Sequence, residues 1–147
     1  MNSLLSKFPE IHIKEFLARL KSGTIIRFFS QKTKPPKYKF FIVLEIQNEN
    51  NTICGVYINS EINNFMTKNP HILNLQIAIK KEECVSLTKD ISYIDCAQIK
   101  EIKYQDIYEN ITIFEIISEN LKRTIVSTIE QSTFISNKNK EKFRNLI

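Results

Sequence analysis

Apolar positions change their period twice along this chain. Over residues 9–21, Ile13, Phe16, Leu17 and Leu20 fall on one face at helical spacing. Pro9 suits a first helical turn, Arg19 and Lys21 put positive charge in the last turn, and Gly23 follows as a stop. The pattern predicts an amphipathic helix that covers one open face of a sheet. From Gly23 the period becomes that of strands. Residues 24–29 (TIIRFF) are rich in β-branched and aromatic types, and 38–47 form the most apolar run, hence the central strand. Pro35 and Pro36 forbid regular pairing between them. The turn at Asn48–Asn51 returns the chain as a third strand over 52–59, where Gly55 signals a bulge or a sharp bend.

Residues 60–73 read as a polar connection, with Asn63, Asn64, Asn69 and Pro70 breaking any pattern. Residues 75–80 alternate as a fourth strand, 81–90 form a second loop, and 91–96 make a fifth strand that 97–102 would extend. The helical period then returns. Ile107, Ile111, Phe114, Leu121, Ile125 and Thr128 predict one helix over 105–131, or two joined near Asn110. The charged tail from Asn137 carries Phe143, Leu146 and Ile147 as a final docked turn.

Helix, five strands, helix is an α+β, mainly β order, with no strand–helix–strand alternation between 23 and 102. It predicts a small, strongly bent antiparallel sheet or barrel of about five strands in a single domain: an N-terminal helix (1–22), the barrel (23–102) and a C-terminal helical segment (103–147).

Composition changes this picture little. With 42% hydrophobic and 25% charged residues in 147, the chain has enough apolar surface for a modest core. No apolar run approaches the roughly 18–20 residues of a membrane span, and the first eight residues lack a signal-peptide plan, so a cytoplasmic protein without a membrane partner is expected. Cys54, Cys84 and Cys96 are odd in number and lack CxxC spacing, which argues for buried reduced thiols rather than disulfides or zinc. The net charge of +5 permits an anionic partner without demanding one, and part of the lysine content reflects an Ile/Asn/Lys compositional bias.

Phosphate loops, HExxH and GxSxG are absent, as are aspartate-rich magnesium patterns, and no cofactor or metal is expected. His12, on the first helix, reads as a surface or packing residue. His71, in a loop, reads either as such or as a general acid or base. The chemistry that remains lies in residues 32–47. Lys32, Lys34, Lys37 and Lys39, with Tyr38 among them, offer charge to a phosphate backbone and a ring face to a base. A solvated, flexible loop has the same composition.

Gly23-Thr24-Ile25-Ile26, a polar loop and then Lys39-Phe40-Phe41-Ile42-Val43-Leu44 resemble the opening of the PemK/MazF-like toxins, where a Gly-x-Ile strand and a loop lead to Arg-Pro-x-Val-Val-Leu. Val56-Tyr57-Ile58-Asn59-Ser60 is similar to that family's next strand, ending in a Pro-x-Thr or Pro-x-Ser element. Residues 92–102 (SYIDCAQIKEI) resemble its late strand, and a C-terminal helix closes both. The resemblance implies an SH3-like barrel, a homodimer, a small acidic antitoxin partner, and metal-independent cleavage of single-stranded RNA through the ribose 2′-OH. Carried over by position, the family's arginine falls at Lys39 and its hydroxyl residue at Asn59 or Ser60, while His71, Glu61 and Asp95 become candidate proton carriers. Asp95 also suits a plain role, a strand-end carboxylate bonded to nearby backbone amides. Two departures matter. Lys39 lacks the two-pronged guanidinium grip, which Arg27 would have to supply from the first strand, and Phe40 replaces the family's proline. A barrel of this ancestry that binds RNA or protein without cutting, and a module docking an acidic antitoxin peptide, are the alternative functions. The N-terminal helix, outside the family's minimal pattern, would then block or replace part of the dimer surface.

Overall fold

The computed structural model describes residues 14–141. Residues 9–13 of the predicted first helix, His12 among them, and Phe143, Leu146 and Ile147 of the tail lie outside the described residues. Helix α1 covers 14–19 and buries Phe16 and Leu17, with Leu20 just beyond it. Gly23 then turns the chain at φ +96°, a left-handed conformation that other residues rarely adopt. Both its backbone groups are used: its N–H donates to Val43 and its carbonyl accepts from Ile117.

Seven antiparallel strands follow among the described residues: β1 Thr24–Ser30, β2 Lys37–Gln47, β3 Thr52–Asn59, β4 Gln76–Lys80, β5 Ile91–Asp95, β6 Lys100–Lys103 and β7 Thr112–Ile116. Their order is β4-β5-β3-β2-β1-β7. The second edge of β3 is shared, β5 taking its C-terminal end (Ile58↔Ile94, Asn59↔Tyr93) and β6 its N-terminal half (Thr52↔Lys103 to Gly55↔Lys100). The predicted extension of β5 is therefore a separate strand. The bulge signalled by Gly55 is present, but the extra residue is Leu44 on β2, between the pairs Val43↔Gly55 and Glu45↔Cys54. Gly55 itself marks a close approach, since a Cβ there would lie 1.9 Å from the Ile42 carbonyl oxygen.

The central strands β1, β2 and β3 are buried on both faces, which is why β2 reads as a continuous apolar run. On one face Ile25, Ile42, Leu44 and Val56 pack with Ile125 and Ile129 of helix α4 (Glu119–Gln131). On the other, Ile26, Phe28, Phe41 and Val43 pack with α1 and with Tyr104, whose ring stacks 4.4 Å from that of Phe16. The covering role expected of the first helix is met. Glu115 of β7 accepts from the Ser86 N–H (2.9 Å) and hydroxyl (2.6 Å) in the β4–β5 loop, tying the two ends of the curled sheet together as a half-barrel.

Two expectations are corrected. The C-terminal segment 103–147 is not wholly helical. Residues 104–116 form 3-10 turns at Tyr104–Asp106 and Tyr108–Asn110 and then β7, which together with β6 gives the sheet seven strands among the described residues rather than about five. β1 would otherwise expose its outer row of N–H and C=O groups, and the Thr-Ile-Phe-Glu-Ile of β7 has the composition to pair with it. Ser118 caps α4 by accepting from Leu121, which sets that helix's start. The connection 60–73 holds two single-turn helices, α2 (Asn64–Thr67) and α3 (Pro70–Leu73). The supposed breakers start them: Asn63 caps α2 by accepting from the Met66 N–H at 2.8 Å, and Pro70 occupies the first turn of α3.

Candidate functional site

The register of β1, β2 and β3 decides which side chains meet. Phe41 pairs with Tyr57 and Phe40 with Ile58, so the period of two puts Lys39, Phe41, Tyr57 and Asn59 on the α1 face. Tyr38 and Phe40 go to the other face, beside Arg27. The start of β2 is thus a ridge with a depression on each side.

On the α1 side lies an open cleft of about 580 Å³, walled by the β1–β2 loop, the ends of β3 and β5, and β6. Lys32, Lys34, Lys37, Lys39 and Lys100 face Glu61, Asp95 and Glu101 there, a net positive lining. Lys39 is its best-held cation. Its Nζ donates to Asn59 Oδ1 and lies 5.3 Å from the centre of the Tyr57 ring. Burial is the main cause that pulls its pKa below the ordinary lysine value; Lys37 adds to this and Asp95 opposes it. Asp95 is itself buried, and its Oδ1 accepts from Gln76 Nε2 (2.8 Å) and from the Ala97 N–H (3.1 Å). It is therefore the strand-end carboxylate bonded to a backbone amide, and its charge also reaches Lys39. The Tyr57 phenol is pushed up by burial, with a hydrogen bond from Ser30 in opposition.

The second depression, about 520 Å³, lies between β2, β7 and the β4–β5 loop. Arg27 stands over the Tyr38 ring at 4.4 Å and near that of Phe40 at 5.9 Å, with Lys89 and Phe114 across from them. Lys37, Lys39 and Ser60 border both depressions.

Of the residues singled out from the sequence, the cleft gathers Lys32, Lys34, Lys37, Lys39, Asn59, Ser60, Glu61 and Asp95. Arg27 and Tyr38 sit in the second depression. His71 is exposed on α3 and lines neither. Sequence reasoning missed Tyr57 and Lys100. The alternation Tyr57–Asn59 within one strand would have found the first, but the second depends on the pairing of β6 with β3. Among the described residues no group of three or more His, Cys, Asp or Glu is placed to hold a metal ion. The three cysteines are buried, as expected, and burial pushes the Cys84 and Cys96 thiols up to about 11 and about 12. No described helix is long and apolar enough to cross a membrane.

No family model and no curated protein matches the sequence. The fold does match a solved structure, the MazE-MazF complex (Form-III) from Deinococcus radiodurans, with a TM-score of 0.57 over 80% of this chain and 98% of the matched one. At 6% identity the likeness concerns architecture alone, and the protein carries a MazF-like fold: a curled, mainly β sheet with a few helices.

Proposed function

We propose that the protein is a toxin-like endoribonuclease that cleaves single-stranded RNA without a metal, using the cleft at the start of β2. The observation that carries this is Lys39, a partly buried ammonium held by Asn59 and Tyr57 among further lysines. The strand's phosphates lie on Lys32, Lys34, Lys37 and Lys100. The ribose 2′-OH attacks the adjacent phosphorus, Glu61 takes its proton, and the 5′-oxygen leaves with a proton from Lys39, closing a 2′,3′-cyclic phosphate. The lowered pKa of Lys39 suits it to both tasks, countering the charge on phosphorus and protonating the leaving oxygen. Asn59 and Ser60 orient the phosphate, and Asp95, whose Oδ1 is occupied, steadies the charge of Lys39. Arg27 and Tyr38 guide the strand across the second depression. A small acidic antitoxin and a homodimer belong to the same reading, the first supported by the structural neighbour, a MazE-MazF complex.

A second reading, RNA binding without cutting, is favoured by one observation: among the described residues, the cleft is lined by no histidine. Incubation with end-labelled mixed-sequence RNA in EDTA separates the two. Fragments ending in cyclic phosphate support the nuclease; retention of intact RNA supports the binder.

A further inference from the structure

We propose that the small apolar pocket beside the cleft receives one unstacked nucleobase of the bound strand, a proposal that rests on the RNA reading above. The pocket holds about 240 Å³. Buried Phe28 and Ile107 form its floor, Tyr57 and Ile102 its walls, and exposed Lys32 and Asp106 its rim. Lys32, Tyr57 and Ile102 border the cleft as well, so the two spaces adjoin, with the Tyr57 ring in their common wall. On that ring's cleft side stands Lys39, 5.3 Å from its centre, and the Phe28 ring lies 6.2 Å away at 46°.

A nucleotide has the same two-part character, an anionic phosphate beside a flat apolar base. Single-stranded RNA is recognised by splaying such bases onto aromatic side chains while lysines follow the backbone. None of the catalytic roles assigned above uses this pocket except through Tyr57 as a support for Lys39, so its apolar lining calls for an occupant of its own. Asp106 adds selectivity. A carboxylate only accepts hydrogen bonds, and it favours an edge that presents adjacent donors, the N1–H and amino group of guanine. Uracil offers one N–H between two carbonyls and fits poorly.

The test uses the full chain and 2′-O-methyl oligouridylate, which cannot be cleaved, carrying uracil, guanine or fluorescent 2-aminopurine at its centre. The guanine oligonucleotide should bind about tenfold tighter than the all-uracil one, and 2-aminopurine emission should change on binding. Ile102→Trp, which fills the pocket, should remove both effects and leave the salt dependence of binding as it was. Asp106→Asn, on an exposed turn, should weaken the guanine preference and keep the 2-aminopurine response. Equal binding of all three oligonucleotides with unchanged emission overturns the pocket while the RNA reading stands. A guanine preference that survives Ile102→Trp overturns it too. So does binding of an acidic, leucine-bearing peptide that Ile102→Trp abolishes without any effect of the base. Absence of any RNA binding overturns both readings.

Discussion

Gly55→Ala tests the spine on which the site is built. An added Cβ would lie 1.9 Å from the Ile42 oxygen and 2.8 and 2.9 Å from two carbons of the Phe41 ring. Ordinary van der Waals contact begins at 3.4 Å, so the carbonyl must retreat by about 1.5 Å. It has nowhere to go, because β2 is hydrogen-bonded to β1 on one side and to β3 on the other, and the Phe41 ring is buried against Phe28 and Tyr57. The cost falls at the upper end of the range for overpacking, about 3 kcal/mol. For a chain of this size that lowers the melting temperature by roughly 6–12 °C. Gly23→Ala is the control. Its φ of +96° strains any other residue, but the nearest atom to the new Cβ is a side-chain carbon of Ile117 at 3.3 Å, which can yield. It should cost about 1–2 kcal/mol. Thermal melts followed by circular dichroism, with urea titrations to confirm an unchanged slope, measure both. A Gly55→Ala protein melting within about 2 °C of the parent, or above Gly23→Ala, would refute the close β2–β3 approach.

Three further outcomes follow from the geometry. Lys39→Met should slow cleavage by about 10²–10³ yet stabilise the fold by up to about 1 kcal/mol, the burial of the ammonium being only partial. Because the folded pKa of Lys39 lies below that of the unfolded chain, this gain is present at neutral pH and shrinks as pH rises through the folded value toward 10.5, where the parent lysine is also neutral; denaturation at pH 7 and pH 10 reads the sign. Glu115→Ala should cost about 1 kcal/mol and speed hydrogen exchange in β7 and in the 81–90 loop, with β2 and β3 unchanged, since it cuts the tie from Ser86. Lys37→Ala should weaken RNA binding alike for all sequences and reduce the slope of log K against log salt by about 0.7, the contribution of one phosphate contact on a single strand.

Most of the sheet was legible because its alternation is local. β1 to β5 stand within a residue or two of their sequence positions, and the glycines fall where backbone geometry requires them. The failure at 105–118 has a physical cause. Ile107, Ile111 and Phe114 are spaced for a helix, but Thr112–Ile116 is equally fit for a strand, and what decides is the free edge of β1, roughly ninety residues earlier. The asparagines of 60–73 were ambiguous in the same manner, because the side chain that breaks one helix caps the next. At the site, the meeting of Lys39 with Asn59 and of both with the basic loop could be read from hairpin register. Lys100 could not, since its place depends on β6 turning back onto β3. The division of the basic stretch between two faces, with Arg27 and Tyr38 opposite Lys39, is a consequence of strand alternation that charge alone conceals.

The central claim is that Lys39 carries the chemistry. The direct measurement is the rate of RNA cleavage in EDTA for the parent, Lys39→Ala and Lys39→Arg, with folding checked by circular dichroism. The account predicts products ending in 2′,3′-cyclic phosphate for the parent, a loss of about 10²–10³ for Lys39→Ala, and partial recovery for Lys39→Arg, which restores the charge. Cleavage by a folded Lys39→Ala protein at the parent rate would contradict it.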